Sequence, residues 1–335
     1  MTAVRVYPLT FEPLFRNYIW GGRNLEALFG RKLPPGIVAE SWDISAHPSS
    51  PTRVDSGPLA GLTLPQVQDR LGEALVGTRS RWATDRGRFP LLVKLLDANC
   101  RLSVQVHPSD PYALAHEDGE LGKTEMWYVL HAKPGAELIY GLSRKTTPAS
   151  FRAALEDGTL SDLLHCLPIK AGDAILVPTG TLHALLGGVV VAEIQQNSDT
   201  TYRVYDWGRA GTDGMLRPLH VDKALAVIDF DRVCPQAYRP VVVAESNGLR
   251  RAEISRCRYF VVEKVELEGE AAYCGRCDGS TFEIWGCLSG QAEVRWAGDP
   301  LPLAVVRFAL LPAALGDFAL QADGRATLLR AYTPE

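Results

Sequence analysis

Hydrophobic positions in this chain come in short runs, bounded by Gly, Pro, Asp or Asn. Examples are DAILVP (173–178), GVVVAEIQ (188–195), YFVVEKVEL (259–267), FEIWGCLSG (282–290) and QAEVRWAG (291–298). Such spacing predicts strands of a sandwich or barrel. The last hundred residues repeat the texture as far as VRFALLPAALGDFAL, which predicts a second β-domain, with the first over 1–235 and the second over 236–335. Helical spacing is confined to a few stretches. In LTLPQVQDRLGEALVG (62–77), Pro65 takes an early helical position and Leu64, Val67, Leu71 and Leu75 follow on one face. SDPYALAHEDG (109–119) reads as a short helix capped by Ser109, and 147–168 as one or two helices broken at Gly158. The fold class expected is mainly β with helical insertions.

Composition narrows the function classes. The 335 residues are 46% hydrophobic and 22% charged, ordinary values for a globular chain with room for one large or several smaller cores. A net charge of -4 gives no electrostatic case for nucleic acid or an anionic membrane. No apolar run reaches the length of a bilayer span, and MTAVRVYPLTFEPLFRN lacks the pattern of a signal peptide. Seven cysteines suit a reducing compartment, so a cytoplasmic protein is expected. Cys274 and Cys277 form a lone CxxC, readable as half a zinc knuckle or as two thiols near a turn.

Three segments carry candidate chemistry. In SVQVHPSD (103–110), Gln105 and His107 alternate with Val104 and Val106, so on a strand they share one face. In GKTEMWYVL (122–130), Lys123 and Glu125 are likewise two apart. In GDAILVPTGTLH (172–183), a Gly-Asp turn, a buried strand and a Pro-x-Gly bend lead to His183. That last spacing resembles the second motif of cupins, small β-barrels with a metal in the mouth. Gln105, His107, Glu125 and His183 would offer two imidazole nitrogens, a carboxylate and an amide oxygen, a set that suits Zn²⁺ and also Fe²⁺, Mn²⁺ or Co²⁺. Such a site would be net positive, fit for an anionic or polyhydroxylated substrate. EIQQNSDTTYRVYDWGR (193–209) follows, with Asp199, Arg203, Asp206 and Arg209. It reads either as a polar loop of surface ion pairs or as a cover over the barrel mouth.

Taken together, YIWGG (18–22), AESWDIS (39–45), FPLLVKLLDA (89–98), LSVQVHPSD (102–110), GKTEMWYVL (122–130), VPTGTLHAL (177–185) and QQNSDTTYRVYDWGR (195–209) resemble the class I mannose-6-phosphate isomerases of the short bacterial form. LLPAALGDFAL (310–320) is similar to the end of that family's second β-domain. The resemblance implies a cupin-type jelly-roll barrel with one Zn²⁺ per chain on Gln105, His107, Glu125 and His183. It also implies a smaller cupin-like C-terminal domain without metal ligands, and no histidine follows His220. Cys100 and Arg101 depart from the family's pattern but lie outside the ligand set.

The implied reaction interconverts mannose 6-phosphate and fructose 6-phosphate through an enediol. It needs an oxyanion stabiliser and a proton-transfer base. By the resemblance Lys123 and Arg203 are catalytic, with Asp199 beside them. A Lys base needs a depressed pKa, and Asp199, a water at the metal or a histidine compete for the role. Arg209, Lys94 and Ser103 are candidates for the phosphate, Arg209 for its bidentate fork. His47 is readable as pocket wall or solvent loop, and Trp20 and Trp42 as packing aromatics. The expected partner is a small sugar phosphate, the expected state a monomer or weak homodimer. Two alternatives use the same barrel: a non-catalytic sugar-phosphate sensor and an iron oxygenase. The fourth ligand, Gln105, counts against the oxygenase by filling a position that dioxygen needs.

Overall fold

In the computed structural model, which describes residues 6–211 and 214–335, the chain divides into two compact units. One consists of the segments up to Leu14, Trp42–Lys94 and Arg239–Glu335; the other consists of Phe15–Ser41 and Leu95–Tyr238. The expected division is 1–235 and 236–335, and one crossing between the units lies at 238/239. Residues 42–94, however, group with the C-terminal segment and not with the segment that bears the candidate ligands.

The unit built on Leu95–Tyr238 is a two-sheet barrel. One sheet has the order Ala174–Val177, Glu125–Ala132, Val189–Gln196, followed by Leu91–Ala98, of which 95–98 belong to this unit. The other has the order Tyr202–Tyr205, Val104–Val106, His183–Leu185, Glu137–Leu142, Leu164–Pro168. Trp127, Val129, Ile175, Val177 and Val191 of the first sheet meet Leu138, Tyr140, Leu167 and Leu185 of the second in one apolar core. The reverse face of the second sheet forms another. There Val104, Val106, Ala184, Tyr202 and Val204 pack with Phe151 and Ala154 of the helix Pro148–Glu156 and Ala224 of the helix Val221–Val227. Strand alternation does the sorting: the valines of SVQVH turn to the helical layer, and Gln105 turns the other way.

The expected strands are present, as Ala174–Val177, Val189–Gln196, Val261–Glu268, Glu283–Ser289 and Ala292–Arg295. Helix appears at Leu64–Leu71 and Glu73–Val76, opened by a capping box between Thr63 and Gln66 with Pro65 in the first turn. Two helical expectations are corrected. Ser109 stands at the N-cap of Asp110–His116, but its side chain makes no capping bond. Residues 147–168 hold one α-helix, a short 3-10 turn at Leu160–Leu163 and then a strand, Leu164–Pro168. Gly158, at φ 74, ends the helical run. The strand forms because Glu137–Leu142 offers an edge, pairing Leu138 with Leu167 and Ile139 with Cys166.

The C-terminal part of the other unit is a second two-sheet barrel. Its sheets run Val241–Ser246, Leu249–Arg256, Val261–Glu268, Arg325–Tyr332, Glu283–Ser289, Phe308–Leu311 and Ala272–Cys277, Gly316–Ala322, Ala292–Arg295, Leu301–Leu303. Trp285, Cys287, Leu320, Leu328 and Phe318 are in its core. Among the described residues, no helix is long and apolar enough to cross a membrane.

Candidate metal centre

The barrel sheets bring the candidate ligands together from three segments. Antiparallel register sets Arg203 opposite Gln105 and Gln105 opposite His183, a row of three across the second sheet. His107 lies one residue past the end of the Val104–Val106 strand. Glu125 comes from the first sheet, flanked in register by Val177 and Gln195. His107, Glu125 and His183 are all buried, and one ligand atom from each lies within 4.8 Å of the others. His107 Nε2 is 3.3 Å from Glu125 Oε2, and His183 Nε2 is 3.4 Å from Glu125 Oε1. The Gln105 side-chain nitrogen is 3.3 Å from His183 Nε2, so the amide joins the same cluster.

These residues fit a divalent cation. His107 Nδ1 faces the Thr200 carbonyl at 2.9 Å, and His183 Nδ1 faces the Thr181 carbonyl at 2.8 Å. A carbonyl oxygen only accepts, so each Nδ1 carries the proton and each Nε2 presents a lone pair to the cluster. Burial, with Lys123 nearby, lowers the His107 pKa from 6.5 to about 3, and burial lowers that of His183 as well. Both rings are therefore neutral near pH 7, the form that ligates. Both carboxylate oxygens of Glu125 are buried, and beyond the Lys123 ammonium 2.7 Å from Oε2 they have no hydrogen-bond donor, an arrangement that a bound cation would relieve. Burial works against the Glu125 charge, but the Lys123 ammonium outweighs it and holds the carboxyl well below its usual range.

Lys123 stands directly at the cluster, Nζ 2.7 Å from Glu125 Oε2 and 3.2 Å from His107 Nε2. Burial opposes its charge, yet Glu125, with further contributions from Glu193 and Asp199, raises its pKa above the usual value. The depression that a Lys base requires is thus absent when Glu125 answers to Lys123 alone. Arg203 is half-buried, its Nε 3.3 Å from Ser103 Oγ and its Nη1 donating to the Pro218 carbonyl at 3.1 Å. Ser103 Oγ in turn donates to Gln105 Oε1 at 3.4 Å. Asp199 is exposed, close enough to contribute to the fields at Lys123 and Tyr18. Arg209 is held by Asp206 at 2.6 Å and by the Arg101 carbonyl. Lys94 belongs to the other unit, where it is buried with its ammonium 4.0 Å from the Trp42 ring. His47 also belongs there, buried beside Trp42 and bonded to Ser49, so it is not a solvent-loop residue. Trp20 and Trp42 are both buried packing residues.

Several supporting residues escape a reading of the sequence. The Asp110 carboxylate accepts from Gly122 N at 2.8 Å and from Gln196 Nε2 at 2.9 Å, and Gln196 Oε1 accepts from Thr124 N at 2.9 Å. These bonds tie the His107, Glu125 and Asp199 segments to one another. Trp127 lies edge-on to His183 at 5.4 Å and donates to Glu193 Oε2 at 2.8 Å. Arg217 binds Asp206 beside Arg209. Asp110 sits inside the SVQVHPSD stretch, so attention to its helix-start position could have found it. The Thr200 and Thr181 carbonyls are backbone and leave no sequence signal.

Comparison with known proteins agrees with this geometry. Residues 9–128 match the family model described as phosphomannose isomerase type I, catalytic domain. The Bacillus subtilis protein named "Probable mannose-6-phosphate isomerase GmuF" is 42% identical over 94% of this chain and 96% of its own length. A mannose-6-phosphate isomerase of Streptococcus mutans is 35% identical over 98% of this chain and 99% of its own. The crystal structure of the Bacillus subtilis mannose 6-phosphate isomerase superposes with a TM-score of 0.87 at 36% identity, covering 97% of this chain and 99% of that one. With a buried His-Glu-His cluster on a cupin-type barrel and relatives of this identity along nearly its whole length, the chain belongs to the mannose-6-phosphate isomerase family.

Proposed function

We propose that this chain interconverts mannose 6-phosphate and fructose 6-phosphate at one zinc ion held by Gln105, His107, Glu125 and His183. The observation that carries the reading is the convergence of His107, Glu125 and His183 ligand atoms within 4.8 Å in a buried cluster of polar groups. When bound, zinc supplies Lewis-acid stabilisation of the charge that develops on the substrate oxygens. The remaining work falls to side chains. Moving the C2 proton to C1 requires a group that gives up and retakes a proton beside the ligands, and the closeness of Lys123 Nζ to Glu125 and His107 supports Lys123 in that role. A Glu125 carboxylate shared with a divalent cation holds the Lys123 proton less firmly, the direction a base requires. Arg203, next to Gln105 in the sheet row, adds fixed positive charge to stabilise the enediolate, and exposed Asp199 is a second proton carrier.

Arg209, kept in place by Asp206, serves the phosphate in this reading, with Ser103 orienting Arg203 and Gln105. Lys94 is left as a weaker candidate, since its ammonium is committed to the Trp42 face. The C-terminal barrel is structural. Free cysteines and a sugar-phosphate substrate favour the cytoplasm. The sensor alternative loses ground to relatives named as isomerases over nearly the full chain.

The deciding experiment is a coupled isomerase assay with mannose 6-phosphate before chelation, after it, and with zinc returned. Activity that vanishes and comes back with zinc is the expected result. A chain that binds zinc yet turns over nothing would leave the sensor reading standing.

A further inference from the structure

The two barrels repeat one frame at residue level. In the first, Glu125 pairs with Val177 on one side and Gln195 on the other, while Trp127 pairs with Ile175 and Glu193. In the second, Glu283 pairs with Leu311 and Tyr332, while Trp285 pairs with Ala309 and Arg330. The strands read TEMWYVL and FEIWGCL, and their neighbours end ILVP and ALLP. The turns before those neighbours match as well. Gly172, at φ 93, donates to the Val129 carbonyl at 2.8 Å, and Val129 N donates to Asp173 O at 2.9 Å. Val306, at φ 53, donates to the Cys287 carbonyl at 2.7 Å, and Cys287 N donates to Arg307 O at 3.1 Å. A β-branched residue in the left-handed region is a rare outlier, and here it stands where the first barrel has glycine. Glu283 is therefore the counterpart of the ligand Glu125.

Each carboxylate has a chain cation beside it, but Lys123 meets Glu125 at Oε2 alone, whereas Glu283 is gripped at both oxygens. Arg330 binds the carboxylate with two nitrogens, Nε to Oε2 at 2.9 Å and Nη2 to Oε1, and Trp285 Nε1 adds a bond to Oε2 at 2.8 Å. Arg330 also reaches Glu263 at 3.3 Å, which Arg251 engages at 3.0 Å and Tyr332 OH at 3.1 Å. The Arg330 guanidinium lies 4.4 Å from the Tyr332 ring centroid and 5.3 Å from that of Tyr273. Both Glu263 and Glu283 are buried, 3% exposed each, so a fixed cation is a requirement of this core.

We propose that Arg330 is the resident cation of the second barrel, doing for the carboxylate of Glu283 what a bound metal ion does for Glu125 in the first. The proposal takes its comparison from the metal reading above, but its test does not depend on isomerase activity. A tethered cation that occupies both oxygens of Glu283 cannot be chelated or exchanged, so the second barrel keeps its fold without metal and the chain takes one metal ion, not two.

The test is a double-mutant cycle on the full-length zinc-loaded chain, using Glu283→Gln, Arg330→Met and the pair, read by calorimetric melting and metal content. Arg330→Met should lower the Tm by roughly 5–10 °C through the stranded carboxylate. The double variant should melt above Arg330→Met, because Glu283→Gln removes the uncompensated charge. Zinc should stay at one per chain in the wild type and in every variant. Additive Tm shifts, an unchanged Arg330→Met melt, or two zinc ions in the wild type would overturn the proposal. If Arg330→Met fails to fold, the cycle with Arg330→Lys decides by the same coupling, since lysine keeps the charge and loses the two-pronged grip.

Discussion

Lys123 and Glu125, two residues apart on one side of the same segment, meet at 2.7 Å with both side chains buried. One carboxylate thus serves a candidate metal and a candidate proton carrier. Replacing Lys123 with Ala removes the carrier and leaves all four ligand side chains. The variant should keep its zinc while kcat falls by about 10²–10⁴. Steady-state kinetics alongside metal analysis checks this, and near-normal turnover would take Lys123 out of the mechanism.

His183→Ala is expected to act on the metal itself. His183 supplies one of two imidazoles, its Nδ1 pinned by the Thr181 carbonyl at 2.8 Å. Zinc content after dialysis should drop well below one per chain, with activity lost in proportion. Stoichiometric zinc in this variant would contradict the ligand assignment.

Acid sensitivity of the metal-free chain follows from His107. Its pKa is about 3 in the folded chain against 6.5 ordinarily, because burial penalises the charged ring. Below pH 6.5 the unfolded chain takes up a proton that the folded one does not. This contribution to stability is complete above pH 6.5 and is lost as pH falls toward 3, at about 1.4 kcal/mol per pH unit for one such group. Urea midpoints of chelated protein should be lower at pH 5 than at pH 7.5, and equal midpoints would contradict the buried neutral histidine.

Gly122 is held to glycine by its neighbours. A Cβ there would lie 2.5 Å from Asp110 N and 2.7 Å from Ser109 C, both backbone atoms that cannot swing aside. Gly122→Ala should push the Lys123–Glu125 segment away from the His107 turn, weakening zinc affinity by 10-fold or more, about 1.4 kcal/mol. Competition with a colorimetric chelator measures it. Asp110→Ala should move affinity the same way, since Asp110 ties Gly122 to Gln196.

Much of the site was legible because its signals are local. Gln105 and His107 alternate with valines, and His183 follows a Pro-x-Gly bend, so strand periodicity alone turns each toward one face. The sequence predicts helix as far as 168 because LLHCLP carries no alternation strong enough to outweigh the helix before it. Only the edge of Glu137–Leu142 makes it a strand. The Ser109 cap failed for a similar reason: cap preference is a local tendency, and nothing local records where the side chain turns.

The sequence by itself determined the residue types that can hold a divalent cation, the faces they occupy on their strands and the β character of both barrels. Those follow from side-chain chemistry and from the two-residue period of a strand. Tertiary structure decided what no spacing encodes. It set the cross-strand register that aligns Arg203, Gln105 and His183, and it fixed the proton on each histidine through the carbonyls of Thr200 and Thr181. It also decided which chain cation a buried carboxylate meets: Glu125 has Lys123 from its own segment, but Glu283 meets Arg330 only because two strands remote in sequence pair at Trp285. Register and burial are sums over many weak contacts between distant segments, so they exist only once the chain has folded.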